Sequence, residues 1–193
     1  MGRYLVGITG ASGSIYGLRT IKALLDADQV VHAVVSHWGA RVMAEETGRE
    51  WPDWAHGLRL DRANIHDPDD LAAPPSSGSF RLDGTIIVPS SMGTIGAVAS
   101  GMATTLIHRA AGVALKEGWP LMLVPREAPF SLIHLRNMTS LAEAGAIILP
   151  ASPAFYQKPK TMEDLIDFMV GKILDRFGIP HSLYRAWGTK NAP

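Results

Sequence analysis

Tyr4-Leu5-Val6-Gly7-Ile8-Thr9 is an apolar run of strand length, and Gly10-Ala11-Ser12-Gly13 follows it at once. Beyond the glycines, Ile15, Leu18, Ile21, Leu24 and Leu25 recur at helical spacing. A strand, a tight glycine turn and an amphipathic helix make the opening unit of a parallel sheet covered by helices. The same rhythm continues outward. Residues 30–35 read as a second strand and 38–47 as a second helix. Residues 85–88 read as a third strand, followed by a long helix rich in small residues over 94–111. Residues 121–124 and 146–149 supply two more strands, with a helix over 132–144 between them. Thr161 suits the N-cap of a last helix, with Asp164 three residues on and Met162, Leu165, Ile166, Met169 and Ile173 on one apolar face. Residues 49–82, with Trp51, Trp54, Pro52, Pro68, Pro74 and Pro75, fit the rhythm poorly and read as a long excursion with room for one short helix. The expectation is an α/β fold: a doubly wound, mostly parallel, Rossmann-like sheet with helices on both faces. It is one domain over 1–193, with a C-terminal tail from about 178.

Composition narrows the classes. The chain of 193 residues is 47% hydrophobic and 19% charged, enough apolar material for a sizeable core. Eighteen basic residues balance eighteen acidic ones. No overall field draws the chain to nucleic acid or an anionic membrane, so an anion must be held by a local site. The absence of cysteine removes disulfides, thiol nucleophiles and iron–sulfur ligation. The seven histidines include no pair at metal-ligand helical spacing, and no metal is expected. No stretch reads as a signal peptide or a membrane span, and the expected location is the cytoplasm.

Doubly wound sheets bind ligands where the loops leave the C-terminal ends of the strands. Gly10-Ala11-Ser12-Gly13 suits close backbone approach to a nucleotide or flavin phosphate, or a plain tight turn. It is not a P-loop, for no Gly-Lys-Ser/Thr ends it, and Tyr16 stands where the third glycine of a dinucleotide fingerprint belongs. Pro89-Ser90-Ser91-Met92-Gly93-Thr94 offers hydroxyls and amides to a polar ligand, or equally an N-cap. Arg126-Glu127, directly after a strand, suits phosphate binding and proton transfer, or an ion pair in a turn. Arg109 and Lys116, seven residues apart, read by themselves as solvated charges. Tyr156 and Lys160 match a dehydrogenase pair in spacing, but Pro159 disfavours the helix that pair requires.

These segments together resemble the UbiX-type flavin prenyltransferases, a family that includes accessory subunits of aromatic-acid decarboxylases. The resemblance runs through Gly7–Gly13, Ser76-Ser77-Gly78-Ser79-Phe80, 89–94, Arg109-Ala110-Ala111, Leu115-Lys116-Glu117, Pro125-Arg126-Glu127-Ala128-Pro129, Ile133-His134-Leu135, Pro153-Ala154-Phe155-Tyr156 and Arg185-Ala186-Trp187. It implies transfer of a dimethylallyl group from dimethylallyl monophosphate to N5 and C6 of reduced FMN, without a metal. It further implies that the prenylated FMN serves a UbiD-type decarboxylase and that the chain forms a large homo-oligomer, a dodecamer. The resemblance assigns FMN to Gly10, Ala11, Ser12, Ser36, Ser91, Met92, Gly93, Thr94 and Arg126. It assigns the prenyl phosphate to Arg109, Lys116, Tyr156 and Lys172, and catalysis to Ser12, Glu46, Lys116 and Glu127.

Four positions depart from the family pattern. Lys172 stands where arginine is expected, Thr104-Thr105 replaces an Asp/Asn-plus-Gly/Asn pair, and Gly112 replaces an aspartate. Competing readings are an FMN-dependent cysteine-type decarboxylase, a non-catalytic FMN-binding subunit of an aromatic-acid decarboxylase, and an NAD(P)-dependent reductase. The last is disfavoured by the broken fingerprint and by Ser36-His37 where a ribose-binding acid belongs.

Overall fold

The computed structural model describes residues 1–58 and 61–185. Six strands form one parallel sheet: β1 (Arg3–Ile8), β2 (Val30–Val35), β3 (Ala63–His66), β4 (Gly84–Ser90), β5 (Leu121–Pro125) and β6 (Ile147–Ile148). Their order is β3-β2-β1-β4-β5-β6, so the winding reverses between β1 and β4. That switch point opens a crevice above the loops that leave these two strands.

Strand alternation divides the core. Val6, Ile8, Ile86 and Val88 turn toward one face, where α1 (Ser14–Asp26) and α7 (Met162–Arg176) cover them with Leu18, Ile21, Leu24, Val170 and Ile173. Leu5, Ile87, Leu121 and Leu123 turn to the other face, under α4 (Met92–Ala99), α5 (Leu106–Glu117) and α6 (Leu132–Glu143). The helix α2 (His37–Thr47) follows β2 and leads to the short α3 (Trp51–His56). Thr161 caps α7 as its sequence suggests, in a reciprocal box with Asp164.

Two expectations are corrected. The long helix over 94–111 is two helices: α4 ends at Ala99, Gly101 turns the chain with φ 72°, and Thr105 caps the start of α5. The excursion over 49–82 holds α3 as anticipated but also β3, a sixth strand on the sheet edge beside β2. Ala63-Asn64-Ile65-His66 is four residues long and exposes Asn64 and Ile65, so it lacks the apolar run that marks the inner strands. A 3₁₀ turn at Pro74–Ser76 completes the excursion. Of the terminal Arg185-Ala186-Trp187, Ala186 and Trp187 lie outside the described residues.

The close approach of α1 to the sheet explains the missing third glycine. Gly17, one residue after Tyr16, takes that part: a side chain there would meet the Val88 carbonyl oxygen at 2.4 Å. The spacing is stretched, but the packing role is filled.

Candidate active site

The loops that leave β1 and β4 are tied together at the switch point. Thr9 Oγ1 donates to the Pro89 carbonyl at 2.9 Å and accepts the Ser91 amide at 2.8 Å. Two cavities flank the glycine loop that this knot supports. One, of about 510 Å³, is lined by Ser12, Gly13, Tyr16, Glu46, Arg126 and the α7 residues Met162 and Ile166. The other, of about 310 Å³, is lined by Thr9, Gly10, Ser36, Ser91, Gly93 and Thr94, together with Trp38, Thr105 and His108.

Glu46 governs the first cavity. Its Oε1 accepts the Gly13 amide at 2.8 Å, and its Oε2 accepts the Ser14 amide at 2.9 Å and the Ser14 hydroxyl at 2.7 Å. Gly13 itself adopts φ 101°, which swings both amides toward the carboxylate. Burial pushes Glu46 upward, but hydrogen bonds from Ser12, Ser14 and the two amides outweigh it and hold the carboxyl below its ordinary value. The anion-binding end of α1 is therefore already filled by a carboxylate of this chain. Opposite it, Arg126 Nε donates to the Ser12 carbonyl at 3.2 Å. Glu127 is exposed, and its Oε1 accepts the Ala128 amide at 3.0 Å.

The second cavity gathers three helix N-termini. Ser36 caps α2, Ser91 caps α4 and Thr105 caps α5, each hydroxyl accepting the amide three residues on. The first-turn amides of His37, Trp38 and Gly93 make no hydrogen bond within the chain among the described residues. Free first-turn amides on helices of this length favour an anion. No aspartate or glutamate lines this cavity among the described residues. The loop also lies hard against α2, since a side chain on Gly10 would meet Trp38 Cβ at 2.6 Å. Ser90 Oγ, fully buried at the end of β4, has no hydrogen-bond partner among the described residues.

The chain does not bring the remaining assigned residues to this crevice. Arg109 Nε donates to the Ser76 carbonyl at 2.9 Å. Lys116 lies near the far end of α5, about 15 Å from its start by the rise of a helix. There it pairs with Glu117 beside Gly78. Tyr156 packs edge-on against Phe168, and Phe168 against Tyr184. Lys172 lies 3.7 Å from Asp175 and over the Tyr184 ring at 5.9 Å. Tyr156 and Lys172 thus share one aromatic cluster, packed around Phe168 of α7, that lines neither cavity.

The departures from the family pattern also find places. Thr104-Thr105 falls beside the second cavity, where Thr105 is the cap and Thr104 Oγ1 lies 3.0 Å from His108 Nδ1. Gly112 faces open space on the exposed side of α5, so its missing side chain leaves no gap inside the chain. Sequence reasoning missed Thr105, His108 and Trp38. A Thr directly ahead of the apolar run Leu106-Ile107 was the available signal.

A Rossmann-like sheet with free helix-end amides and a glycine loop at its switch point is an arrangement that suits a mononucleotide. A family model described as Flavoprotein matches residues 2–174. The flavin prenyltransferase UbiX of Halalkalibacterium halodurans is 45% identical over 195 residues, covering 97% of this chain and 94% of the relative. A crystal structure of AnUbiX (PadA1) in complex with FMN and dimethylallyl pyrophosphate superposes with a TM-score of 0.93 at 42% identity, covering 98% of this chain and 99% of that one. A dodecameric FMN-dependent UbiX-like decarboxylase from Escherichia coli O157:H7 follows at 0.91 and 41%, covering 97% and 100%. The chain belongs to the UbiX-type flavin prenyltransferases. The peptidyl-cysteine decarboxylase EpiD, at 19% identity and a TM-score of 0.61, shares the fold alone. No helix among the described residues is long and apolar enough to cross a membrane.

Proposed function

We propose that the chain transfers a dimethylallyl group from dimethylallyl monophosphate to reduced FMN, making prenylated FMN for a UbiD-type decarboxylase. The observation that carries this reading is the pair of cavities on either side of Gly10–Gly13, one an anion cradle without a carboxylate and the other holding Ser12, Glu46 and Arg126. The donor set fits FMN. The Ser36 and Ser91 caps with their free first-turn amides suit its phosphate, and the Gly10-Ala11-Ser12 turn between the two cavities lies against its ring system. Met92, Gly93 and Thr94, in the first turn of α4, complete the cradle. When bound and reduced, FMN supplies the nucleophilic N5 and C6.

The chain's own residues manage charge and protons. Breaking an allylic carbon–oxygen bond leaves negative charge on phosphate, which the free guanidinium nitrogens of Arg126 suit. Glu127, exposed at the rim, is the proton-transfer group. Glu46, held as an anion, fixes the Ser12–Ser14 turn and keeps phosphate off the end of α1. Arg109, Lys116, Tyr156 and Lys172 act in the crevice of a neighbouring copy within a homo-oligomer. Their distance from their own crevice supports this, as do exposed apolar side chains such as Ile133 (68%) and Phe155 (71%). The dodecameric relative supports the same assembly here. The reading includes one domain over 1–193, no metal requirement and a cytoplasmic location.

Release of inorganic phosphate from dimethylallyl monophosphate tests the reading. The expected result is release that requires both the protein and reduced FMN. Release without flavin, or none with it, contradicts the proposal.

A further inference from the structure

We infer that His108 is a ligand of the flavin's terminal phosphate and takes up a proton as that phosphate enters, so that FMN binding is linked to pH. The inference rests on the flavin reading above and concerns a residue to which that reading assigns no part. His108 stands in the first turn of α5, where its own amide is held by the Thr105 cap at 3.3 Å. Its side chain lines the same 310 Å³ cavity as Ser36, Ser91 and Thr94. Nδ1 is engaged by Thr104 Oγ1 at 3.0 Å, and Nε2 makes no hydrogen bond among the described residues. A threonine hydroxyl can donate to a neutral Nδ1 or accept from a protonated one, so gaining a proton strands no hydrogen bond.

The surroundings favour a neutral ring before an anion arrives. Half-burial pulls His108 below its ordinary value of 6.5. The charged groups around the cavity are otherwise committed. On α2, His37 is held by Asp69 at 2.8 Å and raised by that contact. In the loop after β3, which receives the Leu106 amide of α5 at Pro68, Asp67 accepts the Asp69 amide and Asp70 accepts the Ala72 amide. Arg109, next on α5, is turned to Ser76. His37 lines the same cavity, but Asp69 matches its charge, so the rest of the cradle is amides and hydroxyls. A phosphate dianion placed there raises the His108 proton affinity, and the protonated ring supplies the positive charge that the cradle lacks.

Calorimetric titration of the full chain with FMN tests this, in buffers of different ionisation enthalpy at about pH 7.2, above the phosphate's own second ionisation near 6. Riboflavin is the phosphate-free probe. The expected result is uptake of up to about one proton per FMN and none with riboflavin. His108→Gln is expected to abolish most of the uptake and weaken FMN roughly tenfold, the scale of a charge-assisted hydrogen bond. Riboflavin affinity should stay unchanged, which also reports that the variant is folded. His108→Asn repeats the test, and His37→Gln should keep the uptake. FMN binding without proton uptake, or equal uptake in His108→Gln or with riboflavin, overturns the His108 assignment. Failure of the wild-type chain to bind either flavin overturns the flavin reading itself, and this inference with it.

Discussion

Glu46 lies thirty-three residues beyond Gly13, yet its Oε1 accepts the Gly13 amide at 2.8 Å. Oε2 takes the next amide, at Ser14, so one side chain of α2 closes the first turn of α1. This contact decides how the crevice is divided. The helix end that holds phosphate in many nucleotide-binding folds already carries a negative charge, and the open amides are those of α2 and α4.

The contact has a pH signature. Because its folded pKa is depressed, Glu46 contributes stability that is fully present above the ordinary value of 4.5 and is lost as pH falls through the depressed one. The contribution is at most about 1 kcal/mol, since water reaches the carboxylate. Glu46→Gln should therefore melt a few degrees below wild type near neutrality, and the deficit should close in acid. Melting curves across that range check it; a deficit independent of pH contradicts the charge argument.

A second acid-sensitive contact joins the paired strands β2 and β3. His32 is 5% exposed, with Nδ1 2.8 Å from His66 Nε2 and the two rings stacked at 5.1 Å. Burial, then His66, then Arg3 lower the His32 pKa to about 4. Between about 4 and the ordinary 6.5 the unfolded chain binds the extra proton, so stability falls as pH drops through that window. His32→Leu should flatten this part of the stability profile while leaving flavin binding intact. Denaturant titrations at several pH values would show it, and an unchanged slope would exclude His32 as the cause.

The inner strands were legible because β-branched, apolar runs reach the core on both faces: the residues of β1 and β4 beyond Arg3 are buried throughout. β3 was not, because an edge strand with one neighbour has little to bury. The break between α4 and α5 was hidden by small apolar residues that continue the helical pattern through Gly101. In the site, the position of a residue just after a strand was enough to flag Ser12, Ser36, Ser91 and Arg126. Glu46 sits in the last turn of α2, not after a strand, and only the fold brings it to Gly13. Lys116 and Lys172 were named by resemblance alone, and nothing within one chain carries them or Tyr156 to the crevice.

Three substitutions separate flavin binding from group transfer. Glu127→Gln keeps shape but removes basicity, so FMN should bind while transfer falls by roughly two to four orders of magnitude. Tyr156→Phe should also spare FMN and weaken the prenyl phosphate, through loss of a charge-assisted hydrogen bond. Ser36→Asp preserves a good N-cap but sets a negative charge at the cradle, so FMN should be lost. Visible spectra and transfer rates give the pattern: two yellow, impaired variants and one colourless. Full transfer in both Glu127→Gln and Tyr156→Phe would refute the crevice chemistry.

Assembly is tested at α6. Ile133 and Leu132 are 68% and 61% exposed near its start, an unfavourable surface for a monomer. If a neighbouring copy supplies Arg109, Lys116, Tyr156 and Lys172 as proposed, Ile133→Asp should lower the mass seen by light scattering and lower transfer with it. A wild-type monomer at working concentration, or full transfer by a monomeric variant, contradicts the shared site.

The most direct test of the account is the mass of flavin extracted after the protein is incubated with FMN, a reductant and dimethylallyl monophosphate. The account predicts FMN heavier by one dimethylallyl unit, formed only when protein, donor and reductant are all present. Unmodified FMN recovered from protein that had bound both FMN and donor would contradict it.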